Sequence, residues 1–568
     1  MIFQVIKPMK KKLLLSIGIV IMLIAGSLFY FSATKLKDFE PTIKEKLQSL
    51  VTKASDSLYR LDFDTLEADI IQSKVIIKKL RIVPDSIILY NLKKNKAPIP
   101  DLFKIELNEL VIDGVDIKDF ISSKKVDLNF ISIKQPKLEV FHVKKPDTFS
   151  HESLKTLYQN ISDQMNRISV NKFSVVDMTA IHHNMQGDST VSHTVFNKVN
   201  VSLENILIDS ITQYDKSRFM YAKEANISLT DQEFRTTDSL YKIKFGNISI
   251  NAAQKTADLK NIIFEPRYKT EAFIKKLPFV KERYDATFSS LHLSDINWWS
   301  IIASESFIVS KGTLSKGRLN IFLDRSLPPF PTSKVGNYPH QLLMKLKIPI
   351  DVKKLEITKL DISYKEYNPN SEKAGEITFK NLEATITNIT NKPASIKLNP
   401  YLKIIAKGSL LGVTTAKVTF ILNLDKYKKG NFLADLSLDQ MDGRVLNPVA
   451  EPLGLFSIEK GNILGIKAQI KGDNNLGSGT VTFLYENLKI NTLKKSAENQ
   501  LIKKRLINFL VNTFLVKNDN TGIGKKTKPE IVTYKRNIKL SFFNVIFKTI
   551  LIGIMKTVGL GIAVSKLK

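Results

Sequence analysis

Apolar and polar side chains alternate with period two through most of the chain between about residues 60 and 490. Phe103, Ile105 and Leu107 are separated by Lys104 and Glu106, and Val418, Phe420, Leu422 and Leu424 repeat the spacing. Alternation of this kind predicts strands with one buried and one wet face. A tighter unit recurs within it: two apolar positions flank one residue, two residues intervene, and two more apolar positions flank one residue. Val75, Ile77, Leu80 and Ile82 form one copy, and Ile105, Leu107, Leu110 and Ile112 the next. Further copies start at Val126, Ile168, Val201, Ile243, Leu291 and Leu355. On a helix the two pairs point to nearly opposite sides at about 100° per residue, so the unit is not an amphipathic helix. On a flat strand the gap sends the second pair to the other face. A β-bulge in the gap returns both pairs to one face and adds right-handed twist. A turn or strand end in the gap accounts for the spacing equally.

A longer echo links Phe196, Val199, Val201, Leu203, Asn205 and Ile206 to Phe379, Leu382, Ala384, Ile386, Asn388 and Ile389. It predicts related halves or tandem units. The spacing between copies of the short unit is irregular, which argues against a strict solenoid.

Few segments carry helical periodicity. They are 42–59, 151–167 and two shorter ones, 271–283 and 295–303. Four such helices cannot shield a sheet of roughly 20 or more strands, the number expected from ordinary strand and turn lengths. The sheet must therefore cover itself by closing or rolling. The candidate lining of the resulting apolar groove is Val75, Ile77, Ile105, Leu107, Val201, Leu203, Leu355, Ile357, Val418 and Phe420.

The two ends of the chain depart from the strand pattern. Residues 13–32 carry no charge and are long enough to span a bilayer as a helix, with Leu13, Ile17, Ile21, Ile24 and Phe29 in the span. Lys7, Lys10, Lys11 and Lys12 precede it, so the positive-inside rule places the N-terminus in the cytoplasm and the bulk outside. The apolar run exceeds a signal-peptide core, which favours an uncleaved signal anchor over a cleaved leader. Near the other end, 495–516 reads as helix-like and 517–528 as a basic linker. Residues 538–564 are again apolar and helical, with Phe542, Phe543, Ile546, Ile550 and Ile554 as candidate membrane-contact positions. Lys548 and Lys556 argue against spanning; a helix lying on a membrane or capping the trough fits better, with a second transmembrane helix and a buried helix as the alternatives. The division expected is 1–34 cytoplasmic tip and anchor, 35–60 juxtamembrane helix, 61–493 repetitive β-groove, and 494–568 helical C-terminal segment.

Composition narrows the chemistry. The net charge is +30, from 85 Lys+Arg against 55 Asp+Glu. Abundant Ile, Lys and Asn are what AT-rich coding produces, and Lys guards exposed strand edges. An anionic lipid surface is the functional alternative. No recognition helix, zinc finger or RNP-like motif supports nucleic acid. There are no cysteines, which removes disulfides, thiolate metal sites and Cys nucleophiles.

No catalytic constellation emerges. The run 472–480 resembles a phosphate loop but lacks the required Lys, and GIGKK at 522–526 fails the same test. His182, His183 and His193 hold three of the seven histidines, but adjacent strand residues face opposite ways, which disfavours a shared metal. No G-x-S-x-G elbow occurs. The Trp298-Trp299 pair reads as a buried anchor. The chain is therefore expected to be no enzyme and to need no cofactor.

Three stretches resemble the AsmA-like family of Gram-negative envelope proteins, in the wording of Bacteroidota members. The first runs from Ser57-Leu58-Tyr59 to Pro84-Asp85. The second joins 355–364 to Gly375 through Ile389 (GEITFKNLEATITNI). The third runs from Leu446-Asn447-Pro448 past Gly461, Gly472 and Gly479 to Lys489-Ile490. The resemblance implies a mostly β fold: an elongated, twisted antiparallel sheet rolled into an apolar groove, with an N-terminal transmembrane helix and C-terminal helices. It implies a periplasmic protein held at the inner membrane that carries or shields lipid acyl chains, with membrane lipids, phospholipids foremost, as partners. The alternative is a non-enzymatic assembly factor for outer-membrane proteins, with other envelope proteins as partners.

Overall fold

The computed structural model describes residues 44–559, except 95–100, 115–122, 144–157, 160–161, 163–165, 187–188, 496–500, 504–518, 522–527 and a few single positions. Two compact units emerge. The first is Met1–Phe234, Phe245–Leu259 and Ile296–Glu305; the second is Arg235–Lys244, Lys260–Asp295 and Ser306–Lys568.

In the first unit, β1 (Tyr59–Asp62) and β2 (Thr65–Asp69) pair in succession with β3 (Lys74–Pro84), which pairs with β4 (Leu102–Asp113). β4 then pairs with both β5 (Lys125–Lys134) and β6 (Lys137–Val143). These two lie end to end, broken at Gln135-Pro136, where proline has no N–H for the ladder. β7 (Arg167–Gln186) runs parallel to both, and β8 (Ser189–Ile208) and β9 (Glu224–Arg235) follow antiparallel. The repeated sequence unit is the ladder of this sheet. Val75, Ile77, Leu80 and Ile82 stand opposite Ile112, Leu110, Leu107 and Ile105. The next strand continues the rows: Leu110 faces Ile133, and Ile112 faces Ile131. All of these side chains bury together in one core, so both pairs of each unit do share a face.

The gap accomplishes this by a local left-handed residue in three of the eight copies: Lys79, Asn205 and Lys359 have φ near +50° and occupy the second gap position, whereas Asp295, with the same conformation and position, precedes only the last residue of its strand. A residue in that conformation rotates the following strand and restores the alternation to the original face.

Three strands adjoin or cross the unit boundary: β10 (Tyr241–Asn251), β11 (Thr256–Pro266) and β12 (Arg283–Ile296). The second unit continues with β13 (Phe307–Asp324), parallel to β14 (Ile350–Asn368). Antiparallel neighbours follow: β15 (Lys373–Thr390), β16 (Tyr401–Leu410), β17 (Thr414–Asn423) and β18 (Phe432–Leu438). Beyond a two-residue β19 (Met441–Asp442) come β20 (Phe456–Gly472), β21 (Leu476–Lys495), a short β22 (Leu501–Lys503) and β23 (Glu530–Lys535).

The longer sequence echo is a pair of matching hairpins, one in each unit. In β7–β8, Phe173, Val175, Met178 and Ala180 face Leu203, Val201, Val199 and Phe196. In β14–β15, Leu355, Ile357, Leu360 and Ile362 face Ile386, Ala384, Leu382 and Phe379. Left-handed residues sit at the same places in the second strand of each, Lys198 and Asn205 against Asn381 and Asn388.

Several expectations are corrected. The fold is mostly β, but among the described residues no helix is long and apolar enough to cross a membrane. The longest, Phe542–Thr557, has 16 residues; at 1.5 Å per residue it reaches about 24 Å, short of a ~30 Å hydrocarbon core. The expected span 13–32, with Leu13, Ile17, Ile21, Ile24 and Phe29, lies outside the described residues. Against the expected membrane-anchored architecture, single-pass inner-membrane topology with a cytoplasmic N-terminus, and role of inner-membrane-anchored carrier or assembly factor, the described residues offer no helix able to span a membrane. The sheet is mixed, not antiparallel throughout, because the 325–349 and 144–166 connections are long enough to carry the chain back for parallel pairs. The segment after 494 is not purely helical: Lys495 ends β21, and Leu501–Lys503 and Glu530–Lys535 are strands.

Of the expected helices, the first is present within 44–52, where Leu47 and Val51 enter the first core. Residues 151–167 lie mostly outside the described residues, and Arg167 opens β7. The third shrinks to Thr270–Ile274, and the fourth starts later, at Trp298–Ser304, because Asp295 and Ile296 still belong to β12.

Candidate functional site

The ten groove candidates separate by unit. In the first unit Val75, Ile77, Ile105 and Leu107 are buried in the closed core, with Ile77 fully sealed. They form the packed interior of a sheet covered by the helix within 44–52. Val201 packs against the same core, and Leu203 is half-buried.

In the second unit Leu355, Ile357, Val418 and Phe420 are all half-buried, and register aligns them in rows across the sheet. One row runs Leu355, Ile386, Ile404, Phe420, Ala434 and Ile470; its neighbour runs Leu314, Ile357, Ala384, Ala406, Val418 and Leu436. These rows form one continuous apolar face. Its cover is uneven. Over β17–β23 the C-terminal helix Phe542–Thr557 lies on the sheet. Phe542 packs edge-on to Phe420 and Phe432, with ring centroids 5.7 and 4.9 Å away. Two glycines set the close approach. A Cβ at Gly477 would meet Thr549 Oγ1 at 2.7 Å, and one at Gly553 would overlap Val481. Over β13–β15 the side chains Leu314, Leu319, Ile357, Ile362, Phe379 and Leu382 keep part of their surface exposed.

The helix candidates sort by the same contact. Phe542 and Ile546 are buried against the sheet, and Ile550 and Ile554 pack beside them. Phe543 is 64% exposed on the opposite side, together with Phe547. The helix therefore caps the apolar face, one of the placements its sequence left open.

A plug holds the start of that helix. Tyr338 is fully buried, its ring 5.0 Å from Phe542 and 4.3 Å from the Arg536 guanidinium. Its hydroxyl donates to the Asp473 carbonyl at 2.9 Å, and burial pushes its pKa up to about 12. Pro339 starts a short helix, Pro339–Met344, in which Gln341 accepts from the Tyr338 N–H at 3.0 Å and donates to the Tyr427 carbonyl at 2.8 Å. His340 is fully buried with no hydrogen-bond partner on either ring nitrogen, and desolvation lowers its pKa to about 4.

At the end of β14 the face turns polar. Tyr364 donates to Glu366 Oε2 at 2.6 Å, and Arg325 Nη1 lies 3.0 Å from Glu366 Oε1. Burial, then the Glu366 charge, drives the Tyr364 pKa far above its ordinary value. The repeated sequence unit ends at Ile362, yet the same alternation continues to Tyr364 and Glu366. The signal was an inward position changing from apolar to acidic. Nothing local to Arg325 or Tyr338 marked them, since tertiary packing alone brings them to this unit's face.

Among the described residues no cluster could hold a metal ion. His182 is buried and His183 faces the other way, 3.0 Å from Glu139, as strand geometry requires. Trp298 and Trp299 are half-buried, and Trp298 lies edge-on to Phe219. No model of a known protein family and no curated protein matches the chain.

Proposed function

We propose that the second unit binds a membrane lipid, laying its acyl chain along the partly exposed apolar face of β13–β17, and that it does so without catalysis. The observation that carries this reading is the pair of register-aligned apolar rows whose side chains are half-buried at one end and capped by a helix at the other. Five strands at about 4.8 Å spacing span roughly 19 Å, the length scale of an acyl chain. Each methylene moved from water onto such a surface contributes about 0.8 kcal/mol, so a chain needs only continuity of apolar cover and no acid, base or metal. The AsmA-like resemblance of residues 355–364 and 375–389, which form this face, points to the same ligand class.

The test is photo-crosslinking in cells from positions 357 and 362, with the opposite-face position 356 as control. Glu356 pairs with Lys311 and Lys354, at 2.9 and 2.6 Å, away from the apolar rows. Lipid adducts at 357 and 362 but not 356 are expected. Protein adducts alone, or none, overturn the reading.

A further inference from the structure

The strands that carry the apolar face also have an outward side. On it Lys407 of β16 stands directly opposite Lys417 of β17, and the row continues through Ser437 to Lys467. Four residues along each strand, a second row runs from Lys403 through Ile421 and Leu433 to Lys471. Ile405 and Asp435 lie between the two. All five lysines are exposed, as are Ile405 (47%) and Leu433 (51%), whereas the alternate positions Ala406, Ala434 and Ala468 are buried on the other side. At about 4.8 Å per strand and 3.4 Å per residue, the five lysines share a patch roughly 14 Å on a side.

Anions are scarce there. The carboxylates in register with the rows are Asp435 and, on β15 opposite Lys407, Glu383. Among the described residues none of the five lysines forms an ion pair. The flanking turns and β23 keep the same sign, with Lys426, Lys428, Lys429 and Lys535 against Asp425, Asp439 and Asp473. Lysines on other strands are neutralised: Lys311 and Lys354 meet Glu356 at 2.9 and 2.6 Å, Lys380 meets Asp361 at 3.1 Å, and Lys198 meets Asp231 at 3.0 Å. A general excess of lysine does not explain a patch from which the partners are missing. Nor does edge protection, because β16, β17, β18 and β20 are paired on both sides over these rows. Like charges directly opposite destabilise a sheet, and a screening length of about 8 Å lets the patch act as a whole.

We infer that this outward face docks on an anionic lipid bilayer, with its lysines at the headgroup phosphates and Ile405 and Leu433 in the interface. Exposed apolar side chains among the cations suit a bilayer surface, where lysine stems also lie well. A nucleic acid offers those apolar side chains no partner, and no arginine stands in the rows to grip a phosphate bidentately. Docking in this way asks nothing of the apolar rows on the other side.

The experiment measures binding of the full chain to phosphatidylcholine vesicles with and without phosphatidylglycerol, and to a double-stranded DNA oligomer. Wild type is expected to bind the phosphatidylglycerol vesicles at least about tenfold tighter than the neutral ones. The triple variant Lys407→Gln, Lys417→Gln, Lys467→Gln should erase that preference, at roughly fivefold per lysine. A control triple, Lys78→Gln, Lys134→Gln, Lys198→Gln, removes the same charge from exposed, paired lysines of the first unit and should keep the preference. Absence of the preference in wild type overturns the inference, as does its survival in the first triple. Equal loss in both triples also overturns it, because net charge alone would then be responsible. DNA binding tighter than vesicle binding, lost in the first triple, would assign the face to nucleic acid instead. If the first triple unfolds more easily in urea than wild type, Lys417→Gln alone decides: a roughly fivefold loss on phosphatidylglycerol vesicles supports docking, and unchanged binding overturns it.

Discussion

The hairpins β7–β8 and β14–β15 share a register, a bulge pattern and a parallel neighbour on one side, yet they meet different fates. In the first, Val175, Ala180, Phe196 and Val199 are sealed in a core. In the second, the matching Ile357, Ile362, Phe379 and Leu382 stay half-buried, although Leu360 and Ala384 between them are buried. The strands themselves are equivalent, so the difference lies in what covers them. The first unit closes with side chains from β3, β4 and β5 and with Leu47 and Val51 from the helix within 44–52. The second unit's helix settles on β17–β23, where Gly477 and Gly553 admit it, and leaves the β13–β15 end partly uncovered. One supersecondary unit thus serves as structural core in one place and as an available apolar surface in another.

The sharpest way to break this comparison is to place the same charge in both faces. Ile77→Asp puts an unpaired carboxylate into a fully sealed position and should cost more than about 4 kcal/mol, enough to unfold the first unit. Ile357→Asp should cost only about 1 kcal/mol in urea unfolding, because water already reaches the site, while abolishing lipid adducts from position 362. Equal destabilisation by both variants would mean that the second face is as closed as the first.

The capping helix offers the next largest contrast. Phe542→Ala removes a buried ring that touches Tyr338, Phe420 and Phe432, and should cost about 3–4 kcal/mol. Phe543→Ala, one residue on, should change urea stability by less than about 0.5 kcal/mol, since Phe543 points away from the sheet. A large cost at Phe543 would show that its face is covered after all.

Acid should also separate the units. His340 sits neutral beside Tyr338, with a folded pKa near 4 against about 6.5 when unfolded. A depressed folded pKa gives stability that is complete above pH 6.5 and lost as pH falls toward 4. At pH 4.5 the loss should be about 2–3 kcal/mol. Urea unfolding of wild type and His340→Leu at pH 7.5 and 4.5 isolates this contribution, because other groups titrate in both. The variant should lose that much less on acidification; an identical acid response in both would assign the sensitivity elsewhere.

Much of this fold was legible because strand alternation is a local signal. The unit beginning at Val75 named the residues of the first core, and the echo from Phe196 to Phe379 located the paired hairpins. Sequence alternation does not report cover, however. Val75 and Leu355 carry the same pattern, and only tertiary packing makes one a core residue and the other half-exposed. The capping helix was legible as a helix, but its choice of face depended on Gly477 and Gly553.

The smallest expected effect tests the shared device itself. Lys79 and Lys359 occupy the same gap position with φ of 51° and 52°. Glycine at either site relieves the left-handed strain but adds freedom to the unfolded chain, so Lys→Gly should be neutral within about 0.5 kcal/mol. A β-branched residue cannot adopt that conformation without about 1–2 kcal/mol of strain. If the strained left-handed residue flattens, the downstream pair turns toward the opposite face. In the first unit that pair is Leu80 and Ile82, both sealed, so Lys79→Val should cost the strain plus lost burial, about 2 kcal/mol. In the second unit Leu360 is buried too but Ile362 is only half-buried, so Lys359→Val should lose less burial and cost about 1–2 kcal/mol. Urea midpoints of the two valine variants decide it. A larger cost at Lys359 would mean that the partly exposed face contributes as much to folding as the closed core, and that its exposure is not what distinguishes the two hairpins.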